Sequence, residues 1–536
     1  MKNRNNACLL TTALVLLTGL QVLAAAPPAR GSAQVSVPKL IVGIAVDQLR
    51  TDYLEALRNR LGSDGFKRLL QGGRVYEQVT FDLDNPDATA ALAVLATGAY
   101  PFRNGVPAQQ IYDARMARRQ SVFYDPAQVG LNAIDGLSPR ALISTTLADE
   151  LKTASNGTAR VYAIAPEAEA AVLAGGHTAD GAFWIDDRTG LWASSDYYHD
   201  FPSFLTAQNR DQAFFTNVKT AVWYPLSTVD GTLDIMPYRR AGGIFAHPFT
   251  QHGRLCYTWL KTSPFVNDAV GQLAALLLRQ TGLGSGPHTD MLQLTFYAGT
   301  FQHERPELYA EELQDLYLRL DVTIATLLDV IDRTVGLDHT YIYMVGTGET
   351  LDRTTDVEGT RIGEFNARHC TALLNAHLVS LYGPAQWIVG YDNYQIFLNH
   401  DAIEAHHLKV SEVQQAAAEF VAVLKGIDEV VTSHQLLHED FSERIISRRN
   451  AYHKPTGGDL LLSLQPGWVL KVEENAEPQP QVRHDVAPGP AILFAPGTVA
   501  PARIVAPTRA THIAPTVAHQ LRIRAPSACR EPALLE

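Results

Sequence analysis

The run Leu40-Ile41-Val42-Gly43-Ile44-Ala45-Val46, ended by Asp47, constrains this chain more than any other stretch. It is apolar throughout and rich in β-branched residues, which suits a strand buried on both faces inside a parallel sheet. Such a strand needs helices above and below it, and the following segments have that pattern. Tyr53–Gln71 carries Leu54, Leu57, Leu61, Phe66, Leu69 and Leu70 at helical spacing and stops at Gly72-Gly73. Val75–Phe81 alternates as a strand does, Leu142–Lys152 is amphipathic at helical period, and Ala159–Ala165 reads as a further strand. Strands are also expected at Leu292–Phe296, Thr340–Gly346, Asn393–Leu398, Glu429–Thr432 and Ala491–Phe494, with helices at Glu312–Asp332, Glu364–Tyr382 and Val410–Lys425. This alternation predicts an α/β fold with a mainly parallel central sheet and helices on both faces.

Sites in such folds lie beyond the carboxyl ends of the strands, where Asp47 stands. The turn Asn85-Pro86-Asp87 opens a small-residue helix, Ala88–Thr97, closed by Gly98. A strand-end carboxylate facing a helix N-terminus can hold a cation and an anion side by side.

The N-terminus reads as a secretory signal peptide over 1–26: Lys2 and Arg4, an apolar run to Leu23, then Ala24-Ala25-Ala26. A Pro-rich linker follows over 27–38, and no later apolar run is long enough to span a bilayer. A periplasmic or secreted protein is therefore expected. Losing Lys2 and Arg4 takes the formal charge from −12 to −14, which argues against a nucleic-acid partner. Cys256, Cys370 and Cys529 are widely spaced and odd in number, so they form neither a disulfide framework nor a zinc-finger pattern.

Val46-Asp47-Gln48-Leu49-Arg50 with Tyr53, then Thr97-Gly98 and Pro101, resembles the alkaline phosphatase superfamily, in its periplasmic phosphatase and type I phosphodiesterase/nucleotide pyrophosphatase branch. The resemblance runs from Leu40 to about Pro526, through Tyr317-Leu318-Arg319-Leu320-Asp321, Gln465-Pro466-Gly467-Trp468 and Ile513-Ala514-Pro515-Thr516. It implies one α/β body over 39–526 with cap insertions at about 181–287 and 385–480, and a tail over 527–536. The aromatic-rich 181–287 region (Tyr197, Tyr198, Trp223, Trp259) reads as a cap over the site.

The family's chemistry needs two zinc ions, a Thr or Ser nucleophile and phosphate-clamping cations. Counting back from Thr97 puts the nucleophile position on Ala88, with Thr89 one residue on. The Lys and Arg positions hold Glu167 and Glu169, and a phosphate-contacting Asn falls at Gln109, so no clamping cation is expected there. Asp47 and His303 match metal-ligand positions, whereas Thr300, Thr347 and Gly348 replace an Asp, an Asp and a His. The last ligand position falls near Gly489, with His484 the nearest histidine. Thr and Gly supply neither the imidazole nor the carboxylate that zinc requires. The basic group Arg444, Arg448, Arg449 and Lys454 is either an anion grip or a solvated face. Two readings remain. One is a non-catalytic binding or scaffolding protein of the cell envelope, its partner an envelope protein or a small ligand and its cofactor unknown. The other is a residual zinc-dependent phosphoester hydrolase using Thr89, with Asp47, His303 and His484 as metal ligands.

Overall fold

The computed structural model describes residues 37–84, 87–199, 201–211, 220–226, 245–303, 306, 308–351, 363–438, 442–472, 479–480 and 485–534. The expected signal peptide, the linker up to residue 36, Asn85, Pro86 and His484 lie outside the described residues. At the centre is an eleven-stranded sheet with Leu40–Asp47 between Asp290–Tyr297 and Thr340–Gly346, parallel to both. Val161–Ile164 and Gly181–Ile185 extend the parallel part on one side. On the other side Gly489–Phe494 runs antiparallel between Thr340–Gly346 and Arg74–Thr80.

Alternation along the first strand divides the core. Val42, Ile44 and Val46 face one layer, with the long helices Pro264–Thr281 and Ala310–Thr334. Ile41 faces the other, with Ala88–Thr97, Leu147–Ala154, Ala168–Gly175 and Ile513–Leu521. Helices thus cover both faces, as a strand buried on both sides demands. Gly43 is required here: a Cβ would lie 1.9 Å from Gln293 Oε1 and 2.4 Å from the Tyr343 hydroxyl. Those two side chains hydrogen-bond to each other across the glycine, with Tyr343 Oη 2.9 Å from Gln293 Oε1.

Two expected helices turn out differently. Tyr53–Gln71 is split into Thr51–Leu57 and Phe66–Gly72. The cause is Asp321, whose buried carboxylate accepts hydrogen bonds from Gly62 N and Phe66 N, each at 2.7 Å. A carboxylate at the start of the second helix satisfies amides that a continuous helix would have bonded internally. Glu364–Tyr382 begins instead as a strand, Gly363–Asn366, parallel to Trp468–Lys471, and the helix Ala367–Tyr382 follows it. The Asn366 side chain accepts from His369 N at 2.9 Å and so starts that helix. Gly181–Ile185 forms a hairpin with Trp192–Ser195, through a turn in which Asp186 accepts from Thr189 N.

A separate lobe carries an antiparallel four-stranded sheet in the order Ile388–Asp392, Gln395–Leu398, Leu460–Leu464, Ile427–Thr432. Its own core includes Trp387, Leu374, Ile396 and Val413. Arg448 joins the lobe to the body, with Nε 3.0 Å from Asp84 and Nη1 2.9 Å from Glu429. This arginine is 4% exposed in its side chain and fully engaged, so it neither grips an anion nor sits on a solvated face. Among the described residues no helix is long and apolar enough to cross a membrane.

Candidate functional site

Asp47 ends its strand at the carboxyl edge of the sheet, and Gln48 turns the chain sharply with φ 60°. Thr347 follows the neighbouring strand and reaches back to it. Its hydroxyl donates to Asp47 Oδ1 at 3.0 Å and accepts from Gln48 N at 2.8 Å. A direct O–H···O bond therefore joins two strand ends that the family resemblance would bridge through a metal. Withdrawal from water raises the Asp47 pKa to about 6, against the Thr347 hydrogen bond, and the nearby Asp87 and Glu167 charges add to the rise.

Asp87 caps the helix Ala88–Thr97. Its Oδ1 accepts from Thr89 N at 2.8 Å and from Gln109 N at 3.0 Å. Burial raises its pKa against these bonds and against a bond from the Thr89 hydroxyl. Ala88, at the nominal nucleophile position, is exposed and has no reactive oxygen, whereas Thr89 is only 5% exposed.

The two clamp positions are occupied by a closed network. Glu167 caps Ala168–Gly175 with extended backbone angles, and its Oε2 lies 2.9 Å from Lys261 Nζ. The same Nζ is 2.7 Å from Asp187 Oδ1. Contrary to the expectation of no cation, one does stand here, brought by the helix Cys256–Lys261. Burial alone would lower the Lys261 pKa, but the Glu167 and Asp187 charges push it up to about 12. Glu169, 7% exposed, accepts from Ser121 Oγ at 2.6 Å and from Gln109 Nε2 at 3.1 Å. Gln109, Glu167 and Glu169 are thus spent on one another's neighbours.

His303 is held by the neighbouring strand end, where Tyr297 pairs with Asp47 in the sheet. Its Nδ1 is 3.2 Å from the Tyr297 hydroxyl, which donates to the Thr300 carbonyl at 2.6 Å. The structure gathers Asp47, Asp87 and Glu167 into one electrostatic neighbourhood and leaves His303 with Tyr297. Among the described residues there is no group of three or more His, Cys, Asp or Glu side chains placed to hold a metal ion. The described donors therefore do not fit a catalytic zinc, which takes three protein ligands.

Sequence reasoning missed Asp87, Asp187 and Lys261 as participants. Asp87 had a local signal, an N-cap residue two positions before Thr89. Lys261 had none, being 94 residues from Glu167.

The model of the type I phosphodiesterase/nucleotide pyrophosphatase family matches residues 41–489. This chain belongs to that family. It is 28% identical over 532 residues to a calcium-transporting ATPase of Myroides odoratus, spanning 92% of this chain and 94% of the relative. It is 26% identical over 530 residues to the alkaline phosphatase PhoV of Synechococcus elongatus, spanning 92% of each. The crystal structure of the alkaline phosphatase PafA aligns with a TM-score of 0.77 at 22% identity, over 93% of this chain and 98% of its own, so the two share the fold. In this family member Asp47 ends one of the parallel strands, and Glu167, Asp187 and Thr347 follow within three residues of the ends of three others.

Proposed function

We propose that this family member is a secreted or periplasmic protein of the cell envelope that keeps the phosphoesterase fold and works by binding, without phosphoester turnover. The Thr347 hydroxyl on Asp47 is the observation that carries this reading. It occupies the Asp47 carboxylate with a neutral hydrogen bond, while the clamp positions form ion pairs and hydrogen bonds among protein groups. Two-metal hydrolysis needs open metal positions on the attacking and leaving oxygens, and a pentacoordinate phosphorus needs cations directed at it. Here Lys261 already faces two carboxylates. Zinc content of the purified protein, measured together with hydrolysis of an aryl phosphate and an aryl phosphodiester, tests the proposal. Stoichiometric zinc with turnover of either ester overturns it.

One observation favours a second reading. The Thr89 hydroxyl bonds to Asp87, a carboxylate whose raised pKa suits a proton acceptor. That arrangement supports a residual hydrolase, and it requires metal-dependent turnover that disappears in Thr89→Ala.

A further inference from the structure

A cavity of about 130 Å³ opens between the lobe and the body, and Asp47, Asp87, Glu167 and Thr347 are not among its described lining residues. The body wall includes Ala108, Gln110 and Tyr112. Gln109 lies between them in sequence but directs its side chain to Glu169. The lobe wall includes Gln395, Phe397 and His453.

The charges in this cleft are already committed. Arg448 lines it but is bound to Asp84, Glu429 and Ser463, and Asp392 accepts from Arg119. A phosphate or carboxylate would meet no uncommitted cation among the described lining residues. What remains is neutral hydrogen-bonding capacity. The Gln110 side chain is exposed, and Gln395 keeps its Nε2 after Oε1 accepts from Gly458 N at 2.7 Å. His453 keeps its Nε2, since Nδ1 is 3.2 Å from Thr456 Oγ1.

The aromatic wall narrows the choice further. Tyr112 and Phe397 pack on each other at 4.9 Å with planes 44° apart, so they form one apolar face with no slot between them for a flat base. We infer that this cleft binds a neutral polyhydroxylated ring, a sugar unit of hexose size. Its C–H face would lie on Tyr112 and Phe397 and its hydroxyls would reach Gln110, Gln395 and His453. A few convergent polar groups beside an apolar wall suit an orienting pocket of this kind. The inference goes beyond the proposed function, because it assigns a ligand class to a second place in the molecule and does not depend on whether phosphoesters turn over.

The test uses the purified full chain, with glucose, N-acetylglucosamine, adenosine and inorganic phosphate as probes in saturation-transfer NMR and titration calorimetry. One sugar is expected to bind in preference to adenosine and phosphate. Gln110→Ala and His453→Ala are each expected to weaken it about tenfold, as loss of a ligand hydrogen bond does. If His453→Ala does not fold by circular dichroism, Gln110→Ala decides alone. Binding of neither sugar, equal sugar affinity in the variants, or tighter binding of adenosine or phosphate overturns the inference. Zinc content and ester hydrolysis are read separately, so failure of the cleft and failure of the proposed function remain distinguishable.

Discussion

At the scale of single residues, Asp47 makes the sharpest difference between a metal centre and a closed one. Its folded pKa of about 6 lies above the usual carboxylate value, so between about pH 4 and pH 6 the folded state holds a proton that the unfolded chain has released. Stability is therefore fully present below that window and falls as pH rises through it, by on the order of 2 kcal/mol, then levels off. Urea denaturation across pH 4–8 should show this slope, and Asp47→Asn should reduce it by Asp47's share, leaving the part that comes from Asp87, whose pKa burial also raises. The isosteric amide still accepts from Thr347 and no longer repels Asp87 and Glu167, so the variant is expected to be more stable than the parent at pH 7 by about 1–2 kcal/mol. A drop in stability together with loss of bound zinc would instead mark Asp47 as a ligand. Lys261 offers the complementary test. Lys261→Met leaves Glu167 and Asp187 facing each other without a cation. Because those carboxylates are 42% and 59% exposed in their side chains, water screens much of the loss. A cost of about 1–2 kcal/mol by chemical denaturation is expected, below that of a fully buried pair.

At the scale of elements, two carboxylates act as joints between segments distant in sequence. Asp321 on the long helix fixes the start of Phe66–Gly72, and a Cβ on Gly65 would lie 2.5 Å from its backbone oxygen. Asp321→Ala leaves two amides without their acceptor and is expected to cost about 2–4 kcal/mol, read as a lower urea midpoint with unchanged slope. Asp149 completes a capping box with Thr146 and also accepts from His177 N at 2.8 Å and Thr178 N at 3.0 Å. Burial works to raise its pKa, but bonds from His177 and Thr146 lower it overall, and Asp149 raises that of His177 in turn. Gly176, at φ 64°, passes so close that a Cβ would sit 2.3 Å from Thr146 Oγ1. Gly176→Ala should therefore destabilise the chain by about 2 kcal/mol or more, through both backbone strain and the displaced cap. A melting temperature equal to the parent's would contradict that account. These joints explain the misplaced helix boundaries: the apolar period runs continuously through Tyr53–Gln71, but a side chain 255 residues from Phe66 interrupts the hydrogen bonding.

At the scale of the whole molecule, the body is held by a two-layered apolar core and side-chain joints, so its stability should not depend on metal. Dialysis against a chelator is expected to leave the thermal midpoint unchanged. A fall of several degrees, restored by zinc, would show a metal joint among residues such as His484 that the described structure does not cover. The sequence alone determined the class of fold, because the pattern of Leu40–Asp47 and the helices around it is a local consequence of burial on both sheet faces. It also determined which side chains stand at the positions the family resemblance points to, Ala88, Thr300, Thr347 and Gly348, since side-chain identity needs no folding to be read. Only the tertiary structure decided that Lys261 meets Glu167, that Thr347 closes on Asp47, and that Gln109 and Ser121 satisfy Glu169. Each of those contacts joins the ends of elements far apart along the chain, and pairing at such distance is set by sheet order and helix packing, which no local pattern encodes.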